Sequence, residues 1–177
     1  MLQNNFISAM AIIVTTLAAS VAPVPANAVT LSPTCKTVLD ANDRQYTTPV
    51  HLYMTRAGVT HESLVFGDAM YIKVKDTWRR SPMAPKDMLE IRQEAIKEAK
   101  SLDCEHLRDE AVDGEAAAVY SMSSVSDDGD HADGQIWISK SRNVPLKSEM
   151  DVGSGAEKKH TSIRYDYNNV QAPAGVK

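Results

Sequence analysis

The sequence predicts an α+β domain in which a curved antiparallel sheet packs on one long helix plus a short N-terminal helix. Three observations carry that expectation. Runs with apolar residues at every second position follow one another with tight turns between them. One stretch, Pro85 to Leu102, switches to helical spacing. The order helix, strands, helix, strands contains no linker that would divide the chain.

The first 28 residues read as an address rather than structure. Phe6 to Ala22 is uncharged and mostly apolar, and Pro23, Pro25 and Ala26-Asn27-Ala28 follow it. That tripeptide is the small-x-small pattern signal peptidase accepts, with cleavage between Ala28 and Val29. Met1 to Asn5 supplies no Lys or Arg, so the amino terminus is the only positive charge ahead of the apolar run. A membrane anchor is the competing reading; the prolines, the tripeptide and a run slightly short for a span argue against it. A lipid-anchored start is disfavoured because Cys35 follows Ser32-Pro33-Thr34. The expectation is a periplasmic or secreted chain, with no transmembrane anchor after cleavage.

Residues 29–173 form one domain, and 174–177 a fraying, disordered tail. A domain of this length buries roughly two-thirds of its unfolded surface. The formal charge of −4 falls entirely on the mature part and speaks against nucleic acid or an anionic membrane as an electrostatic partner. Cys35 and Cys104 are the only cysteines. In an oxidising compartment such a pair reads as one structural disulfide closing a loop of about 70 residues, for roughly 4 kcal/mol. A redox-active pair would need both thiols in one short motif.

Ser32 caps a first helix that runs to Asp43, with Pro33 at its first position and Cys35, Val38 and Leu39 facing the core. Val50, Leu52 and Met54 then alternate with His51, Tyr53 and Thr55. After Ala57-Gly58 come Glu62 to Phe66, then Met70, Ile72 and Val74 opposite Tyr71, Lys73 and Lys75, then Trp78 to Pro82. This is an antiparallel meander. In the helix that follows, Met88, Ile91, Ala95, Ala99 and Leu102 make the apolar stripe, and Glu90, Arg92, Glu94, Lys97, Glu98 and Lys100 fall mostly on the solvated side. Cys104 lies just past its end. Strands are expected at 105–112, 116–123, 135–139, 145–152 and 161–167, with a polar loop at 127–134.

The succession Gly134-Gln-Ile-Trp-Ile-Ser, then Val144-Pro-Leu-Lys-Ser-Glu-Met, then Tyr165-Asp-Tyr-Asn-Asn-Val-Gln-Ala-Pro173 resembles the lipoprotein-localisation superfamily, the LolA/LolB-like periplasmic proteins. More narrowly, Trp78-Arg-Arg-Ser-Pro-Met83 with Asp109-Glu-Ala-Val-Asp-Gly-Glu115 is similar to a group of small exported bacterial proteins. The resemblance covers residues 47–173. It implies a half-open barrel around helices, with a concave apolar surface for acyl chains. The carriers' cavity-gating arginine matches no position, so no functional residue is carried over.

Catalytic and metal chemistry find little support. His51, His61, His106, His131 and His160 lack metal-ligand spacing; His51 and His61 can approach across a hairpin with Glu62, but solvent exposure explains them better. The carboxylates of Asp127 to Gly134 lack the spacing and closing Glu of a calcium loop. Gly153-Ser154-Gly155 is not a nucleophile elbow. No catalytic residue, metal or cofactor is expected. The methionines suit both an irregular core and an adaptable apolar groove, with core filling the stronger explanation. The functional expectation is a non-catalytic binding module for a lipid-like ligand or lipidated protein, with Leu52, Met54, Leu64, Phe66, Met70, Ile72, Val74, Met88 and Ile91 as candidate contacts. Its rival is a periplasmic partner-binding or envelope-structural protein whose cavity the helix fills. Whether Met88, Ile91 and Ala95 fill the concavity separates them.

Overall fold

The computed structural model describes residues 30–154 and 158–176. The signal segment with its Ala28–Val29 cleavage site, part of the loop after Gly153, and Lys177 lie outside them. Helix α1 (Pro33–Asp43) begins as its residues dictate: Ser32 Oγ accepts the Cys35 amide at 3.1 Å, and Pro33 occupies the first turn. A 3-10 turn (Arg44–Tyr46) follows. The meander is β1 (Val50–Arg56), β2 (Val59–Phe66), β3 (Ala69–Val74) and β4 (Thr77–Arg80), succeeded by α2 (Pro85–Glu98). The second run is β5 (Ser101–Val112), β6 (Glu115–Val125), β7 (His131–Ser139), β8 (Pro145–Gly153) and β9 (Lys159–Asp166).

All nine strands form one antiparallel sheet in the order β4-β3-β2-β1-β9-β8-β7-β6-β5. The two meanders therefore join at β1 and β9, where Leu52 faces Tyr165 and Met54 faces Ile163. The sheet curls without closing, and β4 and β5 are its two edges. This is the α+β half-open architecture that the resemblance implies. Two-residue turns with both residues in the left-handed region, Ala57–Gly58 and Asp113–Gly114, set the hairpin registers. Gly134 in β7 serves a different need. A Cβ there would overlap the carbonyl oxygen of Glu149 and lie 2.6 Å from Met150 Sδ, so a side chain would push β8 away from β7.

Cross-strand partners share a face, and alternate residues swap faces. The helix-bearing face carries Ile136 and Ile138 under Val38 and Ala41, with Tyr120 and Met122 beside them. Further along it lie Val50, Leu52, Val65 and Tyr165, with Met70 packed against them. The opposite face has its own clusters: Ala117, Val119, Trp137 and Leu146, and Leu64, Ala69 and Tyr71. The Cys35–Cys104 disulfide ties α1 to β5, with Leu39, Leu102 and Ile96 around it.

Three sequence expectations change. The helix expected to reach Leu102 ends at Glu98: Ala99 is already extended (ψ 141°), and Lys100 N–H donates to Val125 O as the chain enters β5. Leu102 and Cys104 are therefore strand residues. The loop expected at 127–134 is shorter, because His131 to Gly134 pair with β6. Within the tail expected to fray, Val176 packs, with Val170 ahead of the tail, against Leu64, Ala69 and Tyr71.

Candidate apolar binding face

Helix α2 crosses from the β4 edge to the β5 edge, and its rotation about its own axis decides what the sheet encloses. Pro85 and Ala99 are buried at its ends, and Ile96 packs on the Cys35–Leu102 cluster. Arg92, expected on the solvated side, points inward and forms an ion pair with Asp43 at the end of α1. Ile91, expected inward, is 54% exposed. One residue's step is about 100° of rotation, so placing Arg92 inward carries Ile91 out. Met88, Ile91 and Ala95 therefore do not plug the concavity.

Where α2 meets α1 and strands β5–β8 there is a cavity of about 260 Å³, lined by Leu39, Ala95, Ile96, Leu102, Met122 and Val152. Its wall is mainly apolar. It falls just short of the ~300–1,000 Å³ usual for a small-molecule site, so it accommodates one slender apolar group. Arg92 also lines it. Burial pulls the Arg92 guanidinium down to about 10, with Tyr165 opposing that shift. Tyr165, fully enclosed, is itself pushed up to about 12 by burial, with a Ser148 hydrogen bond working against it.

Beyond the helices the helix-bearing face stays open over β1–β3. Met54, Ile72 and Val74 are exposed at 37%, 39% and 39%, next to buried Leu52 and half-buried Met70. These five candidate contacts share one face. Leu64 and Phe66 do not: Leu64 pairs with His51 and Tyr71 on the opposite face, and Phe66 alternates with it. Met88 is half-buried on α2, and Ile91 is exposed there, outside the cavity lining. The nine candidates thus separate into a coherent set on β1 and β3, two residues facing the other way, and two on α2.

The opposite face of β1–β4 carries a paired polar group beside the Leu64–Ala69–Tyr71 cluster. Glu62 accepts from Lys73 at 2.7 Å and meets His51 Nε2 at 3.1 Å, while Tyr53 Oη lies 3.1 Å from His51 Nδ1. The Lys73 hydrogen bond is the main reason the Glu62 carboxyl sits below its ordinary range. His61 pairs with Met54 and lies on the helix-bearing face, so the two histidines do not meet. Trp78 leans edge-on to His51 at 5.5 Å, and Trp137 is buried with its indole N–H donating to Glu110. Neither tryptophan lines the apolar face. Among the described residues no cluster of three His, Cys, Asp or Glu is placed to hold a metal ion, and no helix is long and apolar enough to cross a membrane.

No family model matches the chain, and no curated protein matches it in sequence. Among solved structures, the Mycobacterium tuberculosis lipoprotein LppX is similar over 80% of this chain and 100% of that one, at 12% identity and a TM-score of 0.46. A LolA superfamily protein from Nitrosomonas europaea is similar over 76% and 92%, at 10% identity and a TM-score of 0.30. At such scores and identities, any functional reading has to stand on this chain's own geometry.

Proposed function

We propose that the protein is an exported, non-catalytic binding module whose helix-bearing sheet face receives a lipid-like chain. The observation that supports this reading is the sharing of one face by Leu52, Met54, Met70, Ile72 and Val74, three of them exposed, with an apolar cavity under α2 at the other end of the same face. An open apolar patch gathered on one face marks a binding surface. Each methylene of a chain buried on the patch would contribute about 0.8 kcal/mol. Export agrees with the leader-like first 28 residues and with a disulfide that persists only outside a reducing cytosol.

The second reading, a partner-binding or envelope-structural protein with a filled cavity, draws on the Arg92–Asp43 pair, which ties α2 to α1. Native mass spectrometry of the exported chain, recovered gently from an envelope extract, separates the two. An added mass that organic extraction identifies as lipid, and that is lost in Met54→Gln/Ile72→Thr, is expected. A bare polypeptide mass, with no uptake of added myristate, would overturn the lipid reading.

A further inference from the structure

Charge is sorted between the two faces of the open end of the sheet. On the helix-bearing face, β1 presents Val50, Leu52, Met54 and Arg56, and β2 presents Val59, His61, Ser63 and Val65. On the same face β3 presents Met70, Ile72 and Val74, and β4 presents Thr77 and Arg79. No Asp or Glu is among them. The carboxylate of β2, Glu62, lies on the other face, where Lys73 and His51 neutralise it. Arg79 stands directly across from Ile72, and Arg56 follows Met54 on the same side of β1, across from Val59. Both arginines are exposed, and neither has an acidic partner among the described residues.

The same face of β8 and β9 presents Ser148, Met150, Val152, Lys159, Thr161, Ile163 and Tyr165; the acid on this side, Asp130, lines the cavity at the far end of the sheet. The chain's net charge of −4 hides a local excess of base: residues 50–86 hold six Lys and Arg against three Asp and Glu, with Lys73 and Arg80 on the opposite face. An unpaired guanidinium beside an exposed apolar strip suits a molecule with an apolar chain and an anionic end, since a carboxylate or phosphate accepts from the guanidinium fork. A neutral chain would leave both arginines without partners.

We infer that the ligand of this face is a single-chain anionic amphiphile, its chain on Met54, Ile72 and Val74 and its anionic end at Arg79 or Arg56. The inference rests on the proposed lipid-like ligand and narrows it. Either arginine can take the anionic end, because Met54, Ile72 and Val74 lie between them, with His61 and Ser63 of β2 among these.

The test is isothermal titration of the full exported chain with myristate and with monomyristoylglycerol, which share a chain and differ in charge. Wild type is expected to bind myristate at least tenfold more tightly. Arg79→Gln and Arg56→Gln are each expected to weaken myristate by about fivefold or less, the range of an exposed ion pair, and the double variant by about tenfold. The neutral ligand should be unaffected, and both side chains are exposed, so the variants keep the fold. Equal binding of the two ligands by wild type would overturn the anionic assignment while leaving the lipid reading standing. Preference for myristate that survives in the double variant would overturn the role of these two arginines. Binding of neither ligand would remove the lipid reading and this inference together.

Discussion

Arg92 of α2 and Asp43 of α1, 49 residues apart in sequence, meet as an ion pair between the two helices, with side chains 17% and 24% exposed. The pair sits above Tyr165 and Tyr46, both pushed up by burial, so it lies in a poorly solvated layer. Arg92 also lines the apolar cavity, which makes it both the tie of α2 to α1 and part of the cavity wall. Ile91, 54% exposed, buries less than half of its surface.

Removing one member of a largely buried pair leaves an uncompensated charge. Arg92→Met is therefore expected to lower the unfolding free energy by about 2 kcal/mol, less than a fully buried pair would cost because both side chains keep some solvent. Arg92→Met/Asp43→Asn should recover part of that loss. Urea unfolding of the two single variants and the double variant gives the coupling directly. A coupling indistinguishable from zero would show that the pair does not hold α2.

The disulfide is expected to matter more. Cys35 is wholly buried and joins α1 to the edge strand β5 across 69 residues of sequence. A loop of that length stabilises by about 4 kcal/mol in the chain-entropy account. Cys35→Ala/Cys104→Ala should melt well below the oxidised protein, and its melting should not respond to reductant. Reductant should lower the wild-type transition to near that of the double variant. If it does not, the bridge adds little to stability.

Gly134 offers a sharper structural test. Its neighbours in the ladder are Met122 on β6 and Met150 on β8, and a methyl group would strike the Glu149 carbonyl. The obstruction is backbone, which cannot rotate aside. Gly134→Ala is expected to cost about 1–3 kcal/mol, the range of overpacking, and to move amide shifts along β7 and β8. A stability within about 0.5 kcal/mol of wild type would mean that the strands separate easily there.

Much of this arrangement is legible in the sequence wherever one residue type answers one local need. Ser32–Pro33 starts α1 where expected, the alternation of Met70, Ile72 and Val74 gives β3, and the turn residues give the hairpins. The rotation of α2 is not legible. Met88, Ile91 and Ala95 form a better apolar stripe than Pro85, Arg92 and Ile96, yet Arg92 faces inward, where it meets Asp43 of α1. The facing of Leu64 is missed for a related reason. Residues 64–66 are continuously apolar, because the sheet packs apolar clusters on both faces there, Val65 on one and Leu64 on the other. The sorting of Arg56 and Arg79 from Glu62 also depends on cross-strand register, which no single strand reveals.

Acid titration gives a last test, away from the binding face. Glu115, at the start of β6, accepts from Arg142 Nε at 2.9 Å and from Ser139 and Ser141, so it pins the turn between β7 and β8. Arg142 also lies over the Tyr167 ring at 5.0 Å. The Arg142 hydrogen bond chiefly holds the Glu115 carboxyl below its ordinary 4.5. A carboxyl depressed in the folded state contributes fully above its unfolded value. As pH falls through 4.5 the unfolded chain takes up the proton first, and stability drops until the folded carboxyl protonates too. Glu115→Gln should therefore be less stable than wild type at pH 7, and the difference should shrink steadily on acidification below about 4.5. Glu62, Asp109, Glu110 and Asp133 are depressed as well, so both proteins lose stability in acid. Only the difference between their unfolding curves isolates Glu115, and a difference that stays constant from pH 7 to pH 3 would mean that Arg142 does not favour the ionised carboxylate.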